Sequence, residues 1–171
     1  MHLARADFVY KASRDYDRAR AELELAARDW FVGLAARTFG DRARALAAFT
    51  AARLVEEKIV ADQPDYAPAW SRLGLMDAAL GRKEEAVNEG RRACELLPVA
   101  KDTIDGPSYL TNLAMIYAWV GEEDLAFETL ALSACIPVGV TYGELKLYPQ
   151  WDPLRGDPRF DKIVDSLAPK S

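Results

Sequence analysis

Catalytic and metal chemistry draws on few side-chain types, and this chain is poor in the most useful of them. It has a single histidine, His2, and two cysteines, Cys94 and Cys135. A transition-metal site needs three or four His, Cys or carboxylate ligands that converge, and one terminal His with two isolated cysteines does not supply them. A Cys–His or Ser–His–Asp arrangement would need His2 as its base. Gly81-Arg82-Lys83 and Gly121-Glu122-Glu123 read as helix turns rather than as a Gly-rich phosphate loop. The kinase triplets His-Arg-Asp and Asp-Phe-Gly are absent from the sequence. The acid pairs Glu84/Glu85 and Glu122/Glu123 could do general acid–base work. They fall in the first turns of helices, where negative charge complements the macrodipole. The expectation is a protein that is not an enzyme and uses no metal or cofactor.

What remains is recognition, which depends on how the chain is organised. Its 171 residues make one domain or one short repeat array. A composition of 50% hydrophobic and 29% charged residues excludes a disordered tail. With 22 Lys/Arg against 27 Asp/Glu the net charge is −5, which argues against nucleic acid as the main partner. The charge is uneven: residues 1–53 carry 10 basic and 7 acidic side chains, and the rest carry 12 and 20. Basic residues interleave with acids, as in Arg14-Asp15-Tyr16-Asp17-Arg18, which reads as a solvated helix face. Both cysteines lie in apolar helical stretches and are expected to be small buried hydrophobes. The first 20 residues carry Arg5, Asp7, Lys11, Arg14 and Asp15, and no apolar run reaches 18 residues. No secretion signal, no membrane span and a cytoplasmic location are therefore expected.

The strongest pattern is a repeat. Gly40 precedes Ala45 by five residues, Gly81 precedes Ala86, and Gly121 precedes Ala126, each time across a polar stretch. Seven residues further on comes another small residue: Ala52, Ala93 and Ser133. The units are spaced by 41 and then 40 residues. A weaker copy around Arg14–Ala19 stands upstream. The physical reading is a helix hairpin. Glycine ends the first helix in the left-handed conformation, and small residues on one face of the second let the pair approach closely. One hairpin cannot bury its apolar face alone, so such units must stack.

Trp70-x2-Leu73-Gly74, Gly81, Ala86, Ala93 and Pro98 resemble a tetratricopeptide repeat. Asp77 stands where that family has Tyr, and Gly90 where it has a large apolar residue. Leu110-x2-Leu113-Ala114-x2-Tyr117, Gly121 and Ala126 resemble another repeat, and Gly33, Gly40, Ala45, Phe49 and Ala52 a third. The tail Leu147–Phe160 resembles the closing segment of tetratricopeptide arrays in bacterial signalling and regulatory proteins. The resemblance implies an all-α, right-handed α-solenoid of three to four helix hairpins with a C-terminal cap. Its units lie near 1–27, 28–63, 67–98 and 107–136, with the cap over 141–171.

Helices are expected near 3–13, 15–27, 28–39, 41–62, 67–80, 83–96, 108–119, 122–134 and 158–168, with a short one at 143–148. An alternative for the N-terminal part is one fused helix over 16–39. Val138–Tyr142 is expected to be an extended connection. Asp152-Pro153 and Asp157-Pro158 each place an acid at a helix N-cap before Pro at N1. Trp151, Leu154, Phe160, Ile163, Val164 and Leu167 are expected to close the end of the array.

The resemblance also implies a concave groove lined by the first helix of each hairpin, where a peptide or protein segment binds. The matching positions are Trp30, Leu34 and Arg37, then Ser71, Arg72 and Leu75, then Thr111, Asn112, Met115 and Trp119. Family members that grip a peptide's terminal carboxylate do so with Lys, Asn and Arg; here only Asn112 and Arg72 match. A mostly apolar groove is therefore expected. Trp70 is expected to be structural. Trp30 and Trp119 are open between groove and core or self-association surface. The alternative function is self-association, as a homodimer or as the sensor half of a larger regulator.

Overall fold

A computed structural model describes residue 21 and residues 24–169. Among them the regular structure is helical, with no strand. The helix expected near 3–13 lies outside the described residues, as does most of that expected over 15–27. The chain divides into two compact units, Met1–Val55 and Glu56–Ser171.

In the first unit a helix over 24–38, α1, turns at Gly40 into α2, Arg42–Asp62, which runs on past the division. The expected break at residue 27/28 is absent, and the fused alternative describes α1 over the described residues. Nothing at Ala27-Arg28 stops a helix, since neither residue is Gly or Pro. The hairpin closes where Gly33 meets Phe49: a Cβ there would lie 2.6 Å from Phe49 Cε1. Ala45, Ala48, Phe49 and Ala52 are buried on the same side of α2.

The second unit contains α3 (Ala67–Ala79), α4 (Lys83–Leu96), α5 (Gly106–Trp119), α6 (Glu123–Ala134), α7 (Tyr142–Leu147), a 3₁₀ turn (Pro149–Leu154) and α8 (Pro158–Ser166). Helices α3/α4 and α5/α6 pack as hairpins, and α5 also packs on both α3 and α4. The turns are built alike. Gly81 and Gly121 both have φ +78°, as Gly40 has +77° in the first unit. In each case the next residue donates its N–H to a carbonyl five residues back: Asp41 to Ala36, Arg82 to Asp77, Glu122 to Tyr117. This is the glycine-terminated helix end that satisfies otherwise orphan carbonyls. Ala86, Ala93, Ala126 and Ser133 are fully buried, so backbones meet where the repeated small residues stand.

Gly90 has its own packing reason. A Cβ at Gly90 would lie 2.7 Å from Ile116 Cδ1, and one at Gly74 would lie 2.9 Å from the same atom. The Ile116 side chain of α5 fills the space that a larger residue 90 would occupy. Trp70 is half-buried against the cluster of Ala67, Ala93 and Tyr109, and its Nε1 donates to Pro64 O at 2.8 Å.

Three expectations are corrected. Val138–Tyr142 is not extended throughout: Gly139 N–H donates to Ile136 O at 2.9 Å, closing a turn over Ser133. Pro153 does not start a helix but lies inside the 3₁₀ turn, with Asp152 accepting from Arg155 Nε at 2.7 Å instead of capping. Cys135 is exposed, because α6 ends at Ala134 and the next residue leaves the packed face; Cys94 is only half-buried. Asp157 does cap α8, accepting from Arg159 N–H at 2.8 Å. Trp151, Leu154, Phe160 and Val164 are buried in the tail, with Ile163 and Leu167 half-exposed. Arg159 fastens α8 to α6, bonding Asp124 Oδ1 at 2.6 Å and lying 4.1 Å over the Phe127 ring.

Candidate binding surface on the first helices

In the first unit, α1 carries Trp30, Leu34 and Arg37. Trp30 is half-buried, its ring 5.5 Å from that of Phe49 at 56°. That tilted geometry is a favourable aromatic contact, so Trp30 packs on its own hairpin. Leu34 is half-buried and Arg37 exposed.

In the second unit the remaining candidates come together along α3 and α5. Asn112 Nδ2 donates to Ser71 Oγ at 2.9 Å, joining the two helices directly. Thr111 Oγ1 donates to Pro107 O at 3.1 Å and is hydrogen-bonded to Ser133 Oγ at 2.6 Å. Ser133 Oγ in turn accepts from Val140 N–H at 3.0 Å. Trp119 is half-buried, and its Nε1 donates to Gln150 O at 2.8 Å, which ties α5 to the 3₁₀ turn.

The apolar groove expected from the resemblance is not what this face presents. Ser71, Leu75 and Met115 are 2%, 7% and 8% exposed. The helical period places a residue on a face but does not say how far neighbouring elements cover it, and α3 and α5 pack on each other. The candidates of α3 and α5 that keep some exposure are three polar residues, Arg72, Thr111 and Asn112, and Trp119.

Arg72 is not a vacant cation. Its Nε donates to Glu56 Oε1 at 2.6 Å and its Nη2 to Glu56 Oε2 at 3.0 Å. Glu56 is 1% exposed, so this fork-to-fork pairing supplies both oxygens of a buried carboxyl group with donors. A terminal carboxylate arriving at Arg72 would have to displace Glu56. Tyr109, beside this pair, is buried, and burial followed by the Asp105 charge pushes its hydroxyl above the ordinary range.

Sequence reasoning missed Glu56, which lies sixteen residues before Arg72 on a different helix. Residues 54–60 read Leu-Val-Glu-Glu-Lys-Ile-Val, so nothing local marks Glu56 rather than Glu57 as the buried acid. Asp77 is a second buried acid, 3.3 Å from Arg82 Nε across the turn after α3. Among the described residues no helix is long and apolar enough to cross a membrane. The chain matches no protein-family model, no curated protein and no solved structure.

Proposed function

We propose that the chain is a tetratricopeptide-type right-handed α-solenoid whose first helices bind a segment of a partner protein, without catalysis. The observation that carries this reading is the Asn112–Ser71 bond. It makes one face from the first helices of consecutive hairpins and leaves Arg72, Thr111 and Asn112 within reach of solvent. Support for the repeat comes from Gly81 and Gly121, which share one φ, one hydrogen-bond pattern and one spacing to buried small residues. The accessible face is mostly polar, with Trp119 as its half-exposed apolar member. An extended segment would therefore be held through its backbone and polar side chains more than by a deep apolar anchor. The test is capture from native lysate by the wild-type chain and by Asn112→Arg, with folding checked by circular dichroism. A partner taken by the first and lost by the folded second supports the reading; equal capture by both contradicts it.

Self-association is the second reading, favoured by one observation. The α1–α2 hairpin exposes Phe31 at 67%, Phe39 at 87%, Leu46 at 57% and Leu54 at 59%. Apolar side chains this exposed on one hairpin suit an interface. A strict monomer by light scattering at about 100 μM removes this reading, since a functional homodimer is formed well below that concentration.

A further inference from the structure

A cleft of about 390 Å³ opens on the second helices, between the N-terminal halves of α4 and α6. Val87, Leu125 and the Tyr117 ring give it apolar walls. Tyr117 is itself buried, 4% exposed, and its hydroxyl accepts from Arg91 Nε at 2.8 Å. Two consequences follow from that bond. The Tyr117 oxygen is taken as an acceptor, so its own hydrogen is left to donate elsewhere. The Arg91 guanidinium, 5.8 Å over the Tyr117 ring, is held in place with its two terminal nitrogens making no hydrogen bond among the described residues. Asn88, one turn earlier on α4, adds an amide that is also unengaged among the described residues. Donors of three kinds thus meet beside an apolar wall, which is the pattern of a small-ligand pocket of ordinary size.

We propose that this cleft binds a small organic monocarboxylate, its carboxylate held by Arg91, Tyr117 and Asn88 and its apolar body lying on Val87 and Leu125. The guanidinium edge that the Tyr117 bond leaves over, Nη1 and Nη2, matches a carboxylate in two parallel hydrogen bonds, and the tether from Nε to the Tyr117 hydroxyl orients it. The far end of the cleft selects against a second negative charge. Lys83 is neutralised there by its ion pair with Glu122, and Glu84 remains as an acid. Glu84 and Arg91 are seven residues apart on α4, about 10 Å along the axis. A short dicarboxylate lying in the cleft would bring its second charge toward Glu84. This site stands apart from the α3–α5 face, so it and the reading above fail independently.

The probes are 3-phenylpropionate, its neutral amide and glutarate, titrated into the full chain and followed by the NMR resonances of Arg91 Nε–H and the Asn88 amide. The expected result is saturable binding of 3-phenylpropionate near a Kd of about 1 mM, as suits so small a ligand. The amide and glutarate should bind at least tenfold more weakly. Arg91→Lys, which keeps the charge and loses the fork, should weaken binding about tenfold. Asn88→Ala, at an exposed position that does not threaten folding, should weaken it about threefold. Absence of any shift at about 10 mM probe, tenfold above the expected Kd, overturns the proposal. So does equal binding of the amide or glutarate, or unchanged binding by both folded variants.

Discussion

Arg72 and Glu56 are joined by two parallel hydrogen bonds, at 2.6 and 3.0 Å, across sixteen residues of sequence. Glu56 is buried, while the Arg72 side chain keeps 35% of its surface. The pair ties α2's second half to α3 and takes up the cation that carboxylate recognition would otherwise use. Removing one partner strands the other. Arg72→Ala should cost about 3 kcal/mol by urea unfolding, because it leaves Glu56 buried without its counter-charge. Glu56→Leu combined with Arg72→Met should come within about 1 kcal/mol of wild type, since an apolar pair of similar volume needs no desolvation.

Gly90 and Ile116 form a second coupled pair. Gly90→Ala puts a methyl 2.7 Å from Ile116 Cδ1 and 3.0 Å from Leu113 Cδ1. Overpacking of this kind costs about 1–3 kcal/mol, against about 1 kcal/mol gained in helix propensity. Ile116→Val removes the offending methyl, so in the Gly90→Ala background it should be less damaging than alone. A double-mutant cycle on unfolding midpoints reads that coupling. Gly74→Ala should not be relieved in the same way, because it also meets Ala86 O and Gly90 N, both backbone atoms, at 3.0 Å.

The hairpin turns are legible in the amino-acid sequence because their signals are local. Gly40, Gly81 and Gly121 each end a helix by a conformation that only glycine adopts easily, and small residues at fixed distance mark the close contact. The all-helical class and the bounds of α2 to α6 follow from the same periodicity. The candidate site is less legible. Leu75 and Met115 stand at the expected register positions, yet a helical register does not report how far a neighbouring helix covers them. Glu56 escapes a local reading because its partner is sixteen residues away in sequence. The exposure of Cys135 escapes it because one residue beyond a helix end changes which way a side chain faces.

The two cysteines should differ in reactivity. Burial first, and then the neighbouring Glu95 charge, push the Cys94 thiol up to about 11. Little of it is thiolate at pH 8, and the thiolate is the nucleophile. Iodoacetamide at that pH, followed by mass spectrometry, should label the exposed Cys135 well before Cys94. Faster labelling of Cys94 would contradict the packing described around it.

The α8 cap should respond to acid through Asp157. Its hydrogen bonds from the Arg159 side chain, and then from the Arg159 backbone N–H, hold its carboxyl below the ordinary value of 3.8. A depressed folded-state value means that stability is present above the unfolded pKa and is lost as pH falls through the folded one. The Tm difference between wild type and Asp157→Asn should therefore be full at pH 7. It should shrink as pH falls below about 3.8, the unfolded value. A difference that grows on acidification would contradict the assignment of Asp157 as an ionised cap.

Binding of a partner segment along α3 and α5 is tested most directly by a photo-crosslinking amino acid placed in turn at two positions. One is Asn112, on that face; the other is the exposed Glu128 on α6. The expected result is one discrete protein adduct from position 112 that position 128 does not give, with the linked peptide identified by mass spectrometry. Adducts of equal yield from both positions, or from position 128 alone, would contradict it.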